Sequence, residues 1–378
     1  MTLKSSALIW FGAGVSLAEI MTGVSVASLG YCKGTIAVII GHIIGCILLF
    51  LAGVIGGKSR KNAMDSVKMS FGSKGTLLFS TLNVVQLVGW TSIMILSGTL
   101  AANLVLPMPY EWIWSVVIGA LIIVWILTEK NFNKLNSVAM LLLFALTVFL
   151  VFEIFSGDNK AEMVLVGITF GQAVELSVAM PLSWLPLIAD YTSGAEKPVK
   201  ASLVSAVVYF FVSSFMYIIG MGMAISAGKS DIAVILASSR LGVFAILIVI
   251  FSTVTTTYLD AYSAGVSINS INKKANIKLW AIATTIAGTM LAIFASVNKF
   301  EGFLYFIGSV FAPMIAIQLA DFFVLKRNCE NKAVSIVNLV IWFAGFIIYR
   351  IFMNIDFAVG CTLPAMTVTF LLALIKGR

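Results

Sequence analysis

FGAGVSLAEIMTGVSVASLG, residues 11–30, is a membrane-length apolar stretch that holds one acid, Glu19. VGITFGQAVELSVAMPLSWLPL, residues 166–187, does the same with Glu175. A carboxylate at the centre of a membrane helix costs roughly 2.5–3.5 kcal/mol on insertion scales, so a chain that keeps one turns it to a partner, a cavity or a ligand. Each acid lies at a similar depth in its run, one near the start of each half of the chain.

The composition agrees with a bilayer setting. Of 378 residues, 60% are hydrophobic and 11% charged, with a mean hydropathy of +1.06. A soluble domain is nearer half apolar and a quarter charged. Apolar runs of about 20 residues recur throughout, the signature of an all-α polytopic membrane protein. Twelve spans are predicted, at 6–30, 34–56, 76–105, 111–128, 136–156, 163–190, 201–226, 240–269, 277–297, 301–325, 334–353 and 357–375.

The net charge of +8 does not point to nucleic acid once the charges are placed. Of the 24 Lys and Arg, only Lys33, Lys160, Lys229, Arg240, Lys299 and Arg350 fall on the odd connections. The rest lie on the even connections and at the two ends. By the positive-inside rule both termini are predicted cytoplasmic, and the basicity is topological. The first apolar stretch is too long for a cleaved signal peptide and lacks a small-residue cleavage site. Cys32, Cys46, Cys329 and Cys361 show no metal-binding or CxxC spacing. No long connection interrupts the spans, so the chain is predicted to be a single membrane domain.

Spans one and six have opposite orientation, so equivalent acids in them suggest an inverted repeat. The predicted halves are 1–160 and 161–327, with two further helices over 328–378. Inverted repeats are common in secondary transporters, whose substrate site lies at the midplane on interrupted helices. Gly12, Gly14 and Gly23 in the first span, and Gly167, Gly171, Pro181 and Pro186 in the sixth, fit such interruptions. Gly and Pro are also simply frequent in membrane helices.

Three constellations accompany the acids. In the third span, FSTLNVVQLVGWTSIMILSG (79–98), Asn83, Gln86 and Trp90 share one helical face. Two amides and an indole suit a flat polar heterocycle, the ring stacking and the amides hydrogen-bonding. Interhelical packing is the other reading. In the eighth span, IFSTVTTTYLDAYSAG (250–265), Ser252, Thr255 and Thr256 share a face. Uncharged hard oxygens suit Na⁺, with carbonyls near Val15 and Ala18 on the first span completing the shell. Such hydroxyls also bond back to their own helix. Asp260 lies near the predicted cytoplasmic end of that span, as a gate, a cap partner or part of an ion path. Tyr305 and Ser309, one turn apart in the tenth span, are cavity-lining or packing residues.

Several stretches, in order, resemble the nucleobase–cation symporter family, type one. They are SWLPLIADYTSGAEKP (183–198), the Gly89–Trp90 step, STVTTT (252–257) and FAPMIAIQLADFFVLKR (311–327). Within that family the chain is similar to the hydroxymethylpyrimidine permeases of prokaryotic thiamin salvage, through SLAEI (16–20) and TTTYLDAYSAG (255–265). The resemblance implies a LeuT-type fold of ten core helices plus two, in a prokaryotic cytoplasmic membrane. It implies that Trp90 stacks on the substrate ring and that Glu19 holds the polar position at the first break. It also implies that Ser252, Thr255 and Thr256, with carbonyls of Val15 and Ala18, bind sodium. Many members carry an Asn after the Thr pair; here stands Thr257, and position 261 is Ala. An amide contact from that helix is therefore not implied, and the glutamates are expected in its place.

A carboxylate can accept from the exocyclic amine of an aminopyrimidine and pair with a protonated ring nitrogen. Glu175 or Glu19 is therefore expected to grip that edge while Trp90 covers the face. The expected function is import of a hydroxymethylpyrimidine-like heterocycle by cation symport. Cytosine, purines and hydantoins are rival substrates, and a proton is the rival to sodium. No cofactor is expected. With a single histidine, His42, and no HExxH or diphosphate-binding motif, the sequence offers no catalytic constellation. Neither rings of like charge nor repeated filter loops are visible, which leaves no signature of a channel.

Overall fold

The computed structural model describes residues 1–128, 167–227, 243–294 and 300–376, with short helical pieces between 141 and 149. Among these residues the chain is helical without a strand. The elements are α1 (Leu3–Gly14), α2 (Leu17–Val26), a 3₁₀ turn (Ala27–Leu29), α3 (Gly30–Ser59), α4 (Ala63–Phe71), α5 (Thr76–Val105) and α6 (Trp112–Leu127). They continue with α7 (Phe170–Ser183), α8 (Ile188–Thr192), α9 (Pro198–Ala227), α10 (Val243–Ile271) and α11 (Ile277–Phe294). Then come α12 (Phe300–Leu319), a π-helical segment (Ala320–Leu325), α13 (Ile336–Phe352) and α14 (Thr362–Ile375).

Each predicted span except the fifth has a helix where the hydrophobic pattern put it. Most of the fifth, 136–156, lies outside the described residues. Five described runs, Leu17–Ser59, Thr76–Leu104, Pro198–Ser226, Ile277–Phe294 and Phe300–Leu325, are long and apolar enough to cross a membrane. Their outward faces are apolar too. Ile36, Ile43 and Ile47 on α3, and Val340, Phe343, Ile347 and Ile351 on α13, are exposed. These stripes recur at helical spacing, as expected of surface that meets lipid rather than water.

Two spans are broken. α1 stops at Gly14, and Val15 leaves the helical region at φ −88°, ψ 84°. Ser16 then caps α2, its hydroxyl accepting from the Glu19 N–H at 3.3 Å. The sixth span breaks between α7 and α8, across residues 184–187. Pro181 and Pro186 supply the cause, since each removes a backbone donor and crowds the preceding turn.

The broken first span is seated on α9 by two glycines. A Cβ on Gly23 would lie 2.2 Å from the Tyr217 carbonyl oxygen, and one on Gly220 would lie 2.0 Å from that of Ile20. Only glycine lets the two backbones approach so closely. The remaining frame packs α3 against α7 and α9, and α5 against α10 and α11. The broken helices thus sit inside a shell of continuous ones.

The connection between α3 and α5 forms a short amphipathic helix, α4, that hydrophobic-run reading passes over. Asn62 caps it. Its Asp65 pairs with Lys68 at 2.6 Å and with Lys273, beyond α10, at 2.7 Å.

Candidate functional site

Glu19 stands in the first turn of α2, where the free N–H groups of a helix start favour a negative group. It is 1% exposed, and α9 supplies its donors. Tyr209 Oη donates to Oε1 at 2.5 Å, and Ser213 Oγ contacts Oε2 at 2.7 Å. Two further groups hold those donors. Trp184 Nε1 donates to Tyr209 Oη at 3.1 Å, and His42 Nε2 lies 2.6 Å from Ser213 Oγ. The other ring nitrogen of His42 is 2.9 Å from the Val38 carbonyl. Trp10 packs edge-on against both Trp184 and Tyr209.

These groups border a cavity at the two breaks. It is lined by Ala13, Ser16, Ala18 and Glu19 of the first span, Trp90 and Met94 of α5, Met180, Ser183 and Trp184 of the sixth span, and Thr256 and Asp260 of α10. Its volume is about 20 Å³. That is room for a water or two rather than a ring. Trp90 borders the cavity with Phe300 and Phe303 set edge-on behind it, ring centroids 5.9 and 5.6 Å away.

The other predicted residues divide between three places. Ser252 Oγ reaches the Val15 carbonyl at 3.2 Å, and Thr256 Oγ1 reaches that of Gly12 at 3.5 Å. Two of the eighth-span hydroxyls thus meet the first break. Thr255 Oγ1 donates within its own helix to Ser252, and the Ala18 carbonyl accepts from Thr22 Oγ1 at 2.8 Å.

Asn83 and Gln86 do not line the cavity. Asn83 Nδ2 donates to Ser267 Oγ at 2.8 Å and to the Pro186 carbonyl at 3.4 Å. Gln86 Nε2 donates to Asn83 Oδ1 at 3.0 Å and to the Ser183 carbonyl at 3.2 Å. Both amides thus satisfy carbonyls freed by the sixth-span break, where an unpaired buried carbonyl would be costly.

Glu175 differs most from its predicted placement. It is turned away from the cavity that holds Glu19 and toward the two additional helices. Tyr349 Oη donates to Oε1 at 2.8 Å, Thr362 Oγ1 donates to the same oxygen at 2.5 Å, and the Thr362 N–H donates to Oε2 at 2.8 Å. Gly360, at φ +74°, passes so close that a Cβ would lie 2.5 Å from Oε2. Tyr305 lies beside this second cavity, with Glu175, Asp356 and Cys361. The two glutamates are therefore not brought together: Tyr349 and Thr362 hold the acid of the sixth span in the second cavity. Asp260 moves the opposite way: predicted toward a helix end, it lines the central cavity one turn beyond Thr256.

The sequence reading missed Tyr209, Ser213 and Trp184, and left His42 without a role. A signal was present. Tyr209, Ser213 and Tyr217 recur every four residues along the seventh span, a polar stripe on a mostly apolar helix.

Two broken spans meet at a buried cavity that carries two acids within a shell of long apolar helices, and the family these features lead to is one of transporters rather than enzymes. The chain belongs to the family of permeases for cytosine/purines, uracil, thiamine and allantoin, which it matches over residues 2–368. It is 26% identical over 322 residues to the cytosine permease of Escherichia coli K12, covering 84% of this chain and 76% of that one. A putative purine-cytosine permease of Bacillus subtilis is 23% identical over 370 residues, covering 87% and 78%. Among solved structures, Mhp1, a nucleobase-cation-symport-1 family transporter in a closed conformation with bromovinylhydantoin bound, superposes with a TM-score of 0.82. It is 18% identical and aligns with 100% of this chain and 92% of that one. A Na⁺-coupled sialic acid symporter in a substrate-bound outward-open state gives a TM-score of 0.70 at 13% identity, over 98% and 88%. The fold is thus the LeuT-type transporter fold.

Proposed function

We propose that this chain is a secondary active symporter that imports a nucleobase-like heterocycle with a cation, by alternating access. Its substrate is hydroxymethylpyrimidine or a related aminopyrimidine, and it works in a prokaryotic cytoplasmic membrane with both termini inside. The observation that carries this reading is Glu19. It is a buried carboxylate at a helix break, held by Tyr209 and Ser213, and it borders the same cavity as the Trp90 ring. Two of its lone pairs are taken by those donors, which leaves acceptor capacity for the amine edge of a ring. Charge-assisted hydrogen bonds of this kind are about twice as strong as neutral ones.

Sodium is the proposed coupling ion. The approach of Ser252 and Thr256 to the Val15 and Gly12 carbonyls supports it, since it gathers uncharged oxygens at the break beside the substrate cavity. Thr255 and the Ala18 carbonyl, which bond within their own helices here, are proposed to turn toward the ion and complete the shell. Occupation there would tie α10 to the broken span and so couple the ion to the site. Cytosine is the second substrate reading, favoured by the names of the curated relatives.

Uptake of labelled hydroxymethylpyrimidine and cytosine into proteoliposomes at fixed pH tests the proposal. Saturable accumulation that requires an inward sodium gradient and is lost in Glu19→Gln is expected. Accumulation driven by a pH gradient alone would assign coupling to the proton. Absence of saturable uptake of any nucleobase-like heterocycle would remove the reading.

A further inference from the structure

The central cavity holds a second carboxylate that the donors around Glu19 do not reach. Asp260 is 4% exposed and lines the cavity with Glu19, Trp90, Ser183 and Thr256. Among the described residues, neither a hydrogen bond nor an ion pair engages its side chain, whereas both Glu19 oxygens are engaged. Among the described residues, no Lys, Arg or His lines this cavity. A buried carboxylate without a partner is costly and persists where something supplies donors or positive charge. Asp260 is in this respect unlike Glu175, whose oxygens are filled by Tyr349 and Thr362.

We propose that Asp260 is a substrate ligand that sets specificity, accepting from an amino-substituted edge of the heterocycle. With Glu19 it makes a two-carboxylate cavity that takes a ring bearing N–H donors toward both acids and disfavours the oxo counterpart. The reason is the asymmetry of hydrogen bonding. At the exocyclic position an amine offers donors to a carboxylate, while a carbonyl sets acceptor against acceptor and leaves the oxo form only its ring N–H, one atom away, to pair with the acid. A site built around a polar contact can reject an analogue that lacks it by orders of magnitude. This inference rests on the permease reading above and assigns a second acid to its substrate site.

The test measures equilibrium binding of hydroxymethylpyrimidine and its 4-oxo analogue to the full-length protein in lipid nanodiscs, with and without sodium. Wild type is compared with Asp260→Asn and Asp260→Glu, and the thermal stability of each is measured without added compound. Wild type is expected to prefer the amino compound by at least about tenfold, and Asp260→Asn to bring the two within about threefold of each other. If Asp260→Asn does not fold, Asp260→Glu, which moves the carboxylate by a methylene, is expected to shift the ratio at least about threefold. An unchanged ratio in a folded variant overturns the proposal. So does an Asp260→Asn protein that keeps the ratio but loses sodium dependence, which gives Asp260 to the cation. Binding of the oxo compound alone by wild type overturns this inference and leaves the permease reading standing. Binding of neither, nor of cytosine, removes both.

Discussion

Tyr209 Oη lies 2.5 Å from Oε1 of Glu19 and donates to it, although the two residues are 190 positions apart. The bond joins the broken first span to the seventh, and Trp184 on the sixth-span break donates to the same hydroxyl. Any ring held by Glu19 therefore acts on three spans at once. Removing the donor in Tyr209→Phe leaves Glu19 with one protein partner. The loss is expected to cost about 1–3 kcal/mol, read as about 5- to 150-fold weaker binding of the heterocycle in a titration. Unchanged affinity would place the substrate elsewhere.

Glu175 has a different task in this account. With three donors from the α13 and α14 region it tethers the additional helices to the first half of α7. Thr362→Ala removes the hydroxyl donor and is expected to lower the unfolding free energy by about 1–3 kcal/mol. Substrate affinity should change less than about threefold, because the tether lies outside the central cavity. Thermal unfolding and binding measured on the same preparation check it. A large affinity loss at unchanged stability would return Glu175 to the substrate site.

The Gly23–Gly220 contact permits no side chain on either helix. Gly23→Ala and Gly220→Ala each push a Cβ onto a carbonyl oxygen, and overpacking of this kind costs about 1–3 kcal/mol. Because both relieve the strain by parting the same pair of helices, the double variant is expected to cost less than the sum of the singles. Strict additivity in thermal unfolding would show that the two positions do not share a contact.

Asp65 yields a pH prediction. Burial alone pushes its carboxyl upward, but the hydrogen bonds and charges of Lys273 and Lys68 outweigh this and hold it below the usual carboxylate range. A carboxylate depressed in the folded state stabilises the protein above its unfolded pKa, about 3.9. That stabilisation is lost as pH falls through the folded value. Asp65→Asn is therefore expected to be less stable than wild type at neutral pH, with the two converging in acid. A gap that widens on acidification would contradict the assignment. The pairs are partly solvated, so added salt should narrow the neutral-pH gap.

Much of this architecture was legible in the sequence, for a physical reason. A bilayer demands long apolar runs, so the spans could be counted, and the breaks announced themselves through Gly14, Pro181 and Pro186. The approach of Ser252 to Val15 was legible because both the hydroxyl stripe and the break are local patterns. The fate of Glu175 was not. Its depth mirrors that of Glu19, but its partners lie 174 and 187 residues away, on helices outside the repeat. Symmetry of position carried no information about them. Asp260 was misplaced by counting rise from the helix start, because the cavity reaches a full turn past Thr256. Asn83 and Gln86 were read as ligands for a ring, yet freed carbonyls at Ser183 and Pro186 compete for the same donors. Amides on a membrane helix look alike in sequence whether they face a substrate or a neighbouring break.

The central claim is that the cavity bordered by Glu19 and Trp90 is where the heterocycle binds. An experimental structure of the protein with hydroxymethylpyrimidine and sodium tests it most directly. The ring is expected over the Trp90 indole, its amino edge within hydrogen-bond distance of Glu19, with the surrounding side chains parted to admit it. A ring bound instead beside Glu175 and Tyr305, with the Glu19 cavity still closed, would contradict the account.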